Sequence, residues 1–256
     1  MTQRYPSDLS DDQWALLEPL FADDPHKRGR KFWQDHRDCV DAVLYIIKTG
    51  CQWRQLPLDF PPWKTVYSRF YKWKKSGFWQ KILETLTKKV RLQEGKGEPS
   101  YGILDSQSVK SSSPGADRGY DGNKKVKGRK RHIVVDTLGL LLTVYVHAAN
   151  IHDTKAAEMV MKKTLESYPS LQAFSGDEGY RKTAEEAAIS LGREMHISRR
   201  IKDEFAVLPK RWVVERSFAW LNGYRRLSKD YEASTSTSET MVQIAFIKIL
   251  LNKIKY

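Results

Sequence analysis

Glu94-Gly95-Lys96-Gly97-Glu98-Pro99-Ser100-Tyr101-Gly102-Ile103-Leu104-Asp105 is the stretch on which the fold turns. Before it, apolar residues recur at helical spacing; after it, they come in short runs bounded by turns. Gly95, Gly97 and Pro99 interrupt regular structure, so residues 95–100 read as a linker. Tyr101 to Leu104 then makes a short strand that ends at Asp105.

Upstream, residues 1–94 read as an all-helical N-terminal domain. Ser10 and Gln13 form a capping box ahead of Trp14, Leu17, Leu20 and Phe21. A second helix is predicted over Gln34 to Lys48, with Gly50 as its stop. After the Pro-rich break Leu56 to Pro62, a third runs from Trp63 to Lys75, with Val66, Tyr67, Phe70 and Trp73 inside and Lys72, Lys74 and Lys75 outside. Ser76-Gly77 turns the chain into a fourth, Phe78 to about Gln93. Two helices across a tight turn, one of them basic and aromatic, fit a helix-turn-helix DNA reader. They fit a helical bundle with a solvated basic face equally well.

Downstream, residues 101–256 alternate. Arg131 to Asp136 and Leu140 to His147 read as strands joined by Thr137-Leu138-Gly139. Thr154 to Ser167 reads as a helix, Leu171 to Ser175 as a strand running into Asp177, and Thr183 to Leu191 as a helix. Met195 to Ser198 is a last strand, Lys210 to Arg226 a long helix, and Ser234 to Ser238 a polar loop before a final apolar helix from about Thr240 to Ile254. The class is α/β: a mixed sheet with flanking helices, preceded by the helical domain.

Lys and Arg number 44 against 31 Asp and Glu, a net charge of +13, which calls for a polyanionic partner such as nucleic acid. The longest apolar stretch, Leu138 to Val146, is strand-sized, so a membrane span is not expected. Met1 to Leu9 carries no secretion signal, and the expected location is the cytoplasm, at the nucleoid. Cys39 and Cys51 lack zinc-ligand spacing and read as reduced, buried thiols.

Three carboxylates occupy positions where a core element delivers a charge to one edge. Asp105 follows Ile103-Leu104, Asp177 follows Ala173-Phe174, and Glu215 lies on the helix whose apolar stripe is Val214, Phe218 and Leu221. Oxygen ligands without His or Cys favour Mg²⁺ or Mn²⁺, and two such ions suit in-line displacement at a phosphodiester. Turn capping is the plain alternative for a strand-terminal Asp. Lys124 to Arg131 packs Lys124, Lys125, Lys127, Arg129, Lys130 and Arg131 into eight positions, expected as a phosphate-contacting segment that Arg199, Arg200 and Lys202 extend. His147, His152 and Asp153 read as a polar loop rather than a metal site, with Asp153 or Asp136 as an acid supporting the ligands.

In order along the chain come Ile103-Leu104-Asp105-Ser106-Gln107-Ser108-Val109-Lys110, Gly119-Tyr120-Asp121, Lys125 to His132, Val135-Asp136-Thr137-Leu138-Gly139, Gly176-Asp177-Glu178-Gly179-Tyr180, Arg211 to Leu221 and Arg225-Arg226-Leu227. Together with Cys51 to Pro57 and Trp63 to Tyr67, they resemble bacterial insertion-sequence transposases of the Insertion Sequence Five family over nearly the whole chain. The resemblance implies a ribonuclease H-like core with Asp105, Asp177 and Glu215 as its metal-binding acidic triad. It implies Mg²⁺-dependent cleavage and strand transfer on double-stranded DNA, at terminal inverted repeats and a target, by a homodimer or larger assembly. Related families carry Tyr, Arg, Glu and Lys around the helix; here Arg211 precedes Glu215, but Leu208 and Asn222 stand at the Tyr and Lys positions. Arg216, Arg225 or Arg226 is expected to take the basic role. A decayed, DNA-binding repressor and a nuclease or resolvase that cuts without joining are the alternatives.

Overall fold

The computed structural model describes residues 4–21, 36–112, 117–198 and 211–256. Four helices come first: α1 (Asp11–Leu17), α2 (His36–Thr49), α3 (Trp63–Lys75) and α4 (Phe78–Gln93). The capping box at Ser10 and Gln13 forms as the spacing predicts. α3 and α4 have the expected bounds because Gly77, at φ +71°, takes a left-handed conformation that few other residues adopt without strain. The expected start of α2 at Gln34 lies outside the described residues.

β1 (Tyr101–Lys110), β2 (Gly119–Asp121), β3 (Val126–Val135) and β4 (Leu141–Ala148) follow, then α5 (Asp153–Ser167), β5 (Ala173–Asp177), α6 (Thr183–Ser190), β6 (Glu194–Ser198), α7 (Arg211–Leu221) and α8 (Thr235–Lys253). β1 pairs antiparallel with β3 and parallel with β5, β5 pairs parallel with β6, and β3 carries both β2 and β4 on its other edge. This is the mixed sheet with flanking helices that the ribonuclease H-like expectation describes.

Several elements differ from expectation, among them β2, which was not expected, and β3, which begins at Val126 rather than Arg131. β1 does not stop at Asp105: Ser106 to Lys110 stay hydrogen-bonded to Gly128–His132, so β1 and β3 project as an arm beyond β5. The polar outer half of that arm has no apolar alternation to announce it as strand. α7 ends at Leu221, short of Arg226, with turns at Gly223 and Tyr224. The Ser/Thr run is helix rather than loop: the Ser234 side chain accepts from the Thr237 N–H, and the first turn of α8 begins there.

The sheet buries both faces. Ile103, Ile133 and Val135 face one side, packed with α7, α8 and the four N-terminal helices in one continuous core. Their neighbours Leu104 and Val134 face the other side, with Leu142, and pack against α5 and α6. α8 is the hub of the first core, buried from Met241 to Leu251 on most of its circumference, which agrees with core packing as its role. Its Lys248 ammonium donates at 2.9 Å to both Asp8 O and Gln13 Oε1, tying the N-terminus down. Truncating such a buried leucine or isoleucine to alanine costs about 2–5 kcal/mol. Both cysteines are free thiols, Cys39 buried and Cys51 half-buried. Among the described residues no helix is long and apolar enough to cross a membrane.

Candidate active site

Strand register settles where two of the three acids stand. Ile103 is paired in parallel with Ser175, so Asp105 and Asp177, each two residues further on, reach the same level on neighbouring strands. Alternation gives both the orientation of Ile103, toward the face covered by α7 and α8. Strands in a sheet lie about 4.8 Å apart, so the two carboxylates are neighbours. Asp105 Oδ1 accepts from the Ser106 N–H at 2.7 Å, and Asp177 Oδ1 accepts from the Gly179 N–H at 3.0 Å. Each acid is half-buried, which leaves it within reach of solvent and substrate.

Tyr180, 1% exposed, follows Asp177 but packs into the core on the other face of the sheet, its hydroxyl 3.0 Å from His132 Nδ1. Burial pushes its ionisation well above the ordinary value, and the carboxylates of Asp153, Asp105 and Asp177 push the same way. Gly176 admits the ring, since a Cβ there would meet the Tyr180 ring at 3.0 Å.

α7 lies on the same face as the aspartate pair, docked by Val213, Val214, Phe218 and Leu221. Ser217 Oγ donates to Gly139 O at 2.9 Å, and the Arg216 guanidinium donates to Leu138 O at 2.9 Å while stacking on Trp212 and Trp220. These contacts seat the helix against the β3–β4 turn. Glu215 is exposed on it. Among the described residues no three His, Cys, Asp or Glu side chains are assembled as a metal cage. The donor chemistry of the pair, hard anionic oxygens on adjacent strands, fits a divalent cation.

The opposite face carries a buried polar cluster that the sequence reading missed. Lys130 Nζ lies 2.8 Å from Asp153 Oδ1 and 3.3 Å from Asp121 Oδ2, and His132 stacks on His147 with ring centres 4.9 Å apart. Against burial, the Ser108 hydroxyl, the Lys124 N–H and Lys130 together hold the Asp121 carboxyl down at about 2. Burial, and then the neighbouring His147, lowers His132 to about 3, so it is neutral. Period-two alternation of Lys130, His132 and Val134 is the only signal the sequence offered. His147 is thus a buried strand residue rather than part of a polar loop. Asp136 does not support the ligands either: buried, it pairs with Arg91 of α4 and accepts the N–H groups of Leu138 and Leu140, closing the β3–β4 turn.

The basic run Lys124 to Arg131 divides. Lys124, Lys125 and Lys127 are exposed, but Arg129, Lys130 and Arg131 are buried and cannot meet phosphate, which corrects their expected DNA contact. Arg129 is bound by Asp230 at 3.1 Å and Glu232 O at 2.8 Å, and Arg131 by Leu227 O at 2.8 Å. Arg226 is likewise buried, paired with Glu232 at 2.7 Å. Arg225, Lys72 and Lys75 are exposed, and Lys74 is half-buried, donating to Thr237 of α8 at 2.8 Å. Arg199, Arg200, Lys202 and Leu208 lie outside the described residues, as does the side chain of Arg211.

Comparison with known proteins follows the same division. The family model described as Transposase DDE domain matches residues 96–250, and that described as Putative transposase of IS4/5 family matches residues 9–83. The putative transposase for insertion sequence element IS402 of Burkholderia cepacia is 27% identical over 141 residues, spanning 50% of this chain and 65% of that protein. An uncharacterized 16.2 kDa protein of insertion element IS402, from the same species, is 27% identical over 112 residues, 42% of this chain and 76% of the relative. Among solved structures, the catalytic core domain of BIV integrase aligns with 56% of this chain and 82% of its own, at 12% identity and a TM-score of 0.36.

Proposed function

The chain belongs to the transposases with a DDE domain, and from that premise we propose that it binds the terminal inverted repeats of an insertion sequence, cuts the DNA there and joins the freed end to a target. The observation that carries the reading is the placement of Asp105 and Asp177 side by side on one sheet face, beneath the helix that bears Glu215. Those two acids would hold a divalent cation, Mg²⁺ or Mn²⁺, and Glu215 would supply the third carboxylate for a pair of ions. Cations held there would offset the charge of the phosphodiester and activate the attacking oxygen.

The chain's own residues do the rest. The Ser106 and Gly179 N–H groups orient the two aspartates. Lys124, Lys125 and Lys127 meet phosphates along the arm, while Lys72 and Lys75 of α3 offer a second basic surface for recognising the repeat. Residues 1–94 act as the reading unit and 101–256 as the catalytic unit, with helices of both parts packed in one core. Bringing two ends together calls for a dimer or larger assembly on the nucleoid DNA.

The test is incubation with end-repeat DNA, a target plasmid and Mg²⁺, comparing the natural protein with Asp105→Asn. Cleaved and joined product, reduced about a thousandfold by the substitution, is expected, since the lost cation ligand removes several kcal/mol of transition-state stabilisation. Binding without cutting points to a repressor, and cutting without joining to a nuclease. Undiminished activity of Asp105→Asn defeats the assignment of the metal site.

A further inference from the structure

Five cations meet at the outer end of the arm that carries Asp105. A cavity of about 460 Å³ opens there, lined by Lys110, Arg118, Tyr120, Lys125, Lys127 and Lys229. Among the described residues no carboxylate lines it. The nearby acids are engaged elsewhere: Asp121 with Ser108 and Lys130, and Asp230 with Arg129 and Ser238. Ser111, also on the wall, has a buried hydroxyl without a hydrogen-bond partner. Gly128 shapes the site, because a Cβ there would lie 2.0 Å from Val109 O and 2.6 Å from Ser111 N. Only glycine lets the strands approach so closely and hand Ser111 on to its bridge with Asp230.

Tyr120 is 57% exposed, packs in neither core and stands directly opposite Lys127 in the β2–β3 register. It also shares a face with the catalytic pair. Every second residue of β3, from Lys127 through Arg129 and Arg131 to Ile133, faces the same side, and Ile133 is paired with Asp105. Six residues of strand separate Lys127 from Ile133, about 20 Å.

Lysines alone recognise any polyanion. Lysines around an exposed aromatic ring form the combination that grips an unpaired base and its phosphate without reading sequence. A volume of this order suits a ligand of nucleotide size, and a bare phosphate would leave most of it unfilled. We propose that the cavity takes an unpaired nucleotide of the DNA strand engaged at Asp105 and Asp177, its phosphate against the lysines and its base against the Tyr120 ring. This subsite rests on the DNA-binding reading above and extends it. At about 3.4 Å per stacked step, the nucleotide lies roughly six positions from the phosphodiester at the carboxylates, fewer where the strand is stretched.

The test uses the full chain and two fluorescein-labelled probes of arbitrary sequence, a blunt 20-mer duplex and the same duplex with a five-nucleotide 3′ overhang. Anisotropy is followed across a salt series. The natural protein is expected to bind the overhang probe roughly tenfold more tightly, a preference that Tyr120→Ala abolishes and Tyr120→Phe keeps, with blunt-duplex affinity unchanged in both. Lys229→Ala and Lys110→Ala are each expected to lower the salt slope with the overhang probe, by up to about 0.7. Equal affinity for the two probes, or a preference that survives Tyr120→Ala, overturns the subsite while leaving the DNA reading in place. A protein that binds neither probe overturns both.

Discussion

Lys125 and Lys127 stand in solvent and Lys124 rests its ammonium on Ser106 at the surface, whereas Arg129, Lys130 and Arg131, further along the same basic run, are among the most buried side chains of the sheet. By composition the two halves are alike. What separates them is supply of oxygen. A cation leaves water only where fixed oxygens replace its hydration, and the inner half is met by such groups from distant segments. Asp230, Glu232 O and Ala233 O surround Arg129, Leu227 O and Lys229 O hold Arg131, and Asp121, Asp153 and Ile151 O surround Lys130. The inner arginines thereby lock the α7–α8 connection onto the sheet, and the outer lysines remain for an external polyanion.

That contrast is open to direct attack. Arg129→Met strands Asp230 in the interior without its cation, and urea unfolding is expected to show a loss of about 3–5 kcal/mol. Adding Asp230→Asn to that variant is expected to recover part of it, and a loss under about 1 kcal/mol means the buried half is not what holds the connection.

The next effect continues the buried half by one residue. His132 is lowered to about 3 by burial and by His147, with Lys130 adding to the shift and Asp153 opposing it. Its folded value lies below the unfolded one near 6.5, so its contribution is whole above that pH and is lost as pH falls toward 3. At about 1.4 kcal/mol per unit, the contribution of His132 falls by about 2 kcal/mol between pH 6.5 and 5, while Asp41, raised to about 7 by burial, shifts stability the other way over the same range. His132→Gln is expected to remove that fall from the stability curve, and an unaltered slope means that the imidazole does not titrate with folding.

The smallest effect on folding belongs to the outer half. Lys125→Ala with Lys127→Ala is expected to change stability by less than about 0.5 kcal/mol, yet to lower the salt slope of duplex binding by about 1.8, near 0.9 for each phosphate contact. An unchanged slope would place the DNA on another surface.

Legibility followed the range of the interactions. Trp63–Lys75 and Phe78–Gln93 came out with their bounds because Pro62, Gly77 and the apolar stripe act within a few residues of one another. Asp105 and Asp177 stood out because each follows a short apolar run. Their adjacency was not legible, since it depends on β1 pairing in parallel with β5, strands separated by more than sixty residues. The cluster of Lys130, His132, His147, Asp153 and Tyr180 was hidden for the same reason, being assembled from β3, β4, the start of α5 and the turn after β5.

Periodicity, capping and net charge, all written in neighbouring residues, were enough to mark most of the elements, the mixed class of the sheet, an expected polyanionic partner and the acids to examine. Tertiary structure alone chose which cations stay in water and put Asp105, Asp177 and Tyr120 on one face. Those outcomes depend on strand register and on oxygens contributed by remote segments, and burial turns a charge into either a structural anchor or a surface contact according to what the folded chain sets beside it.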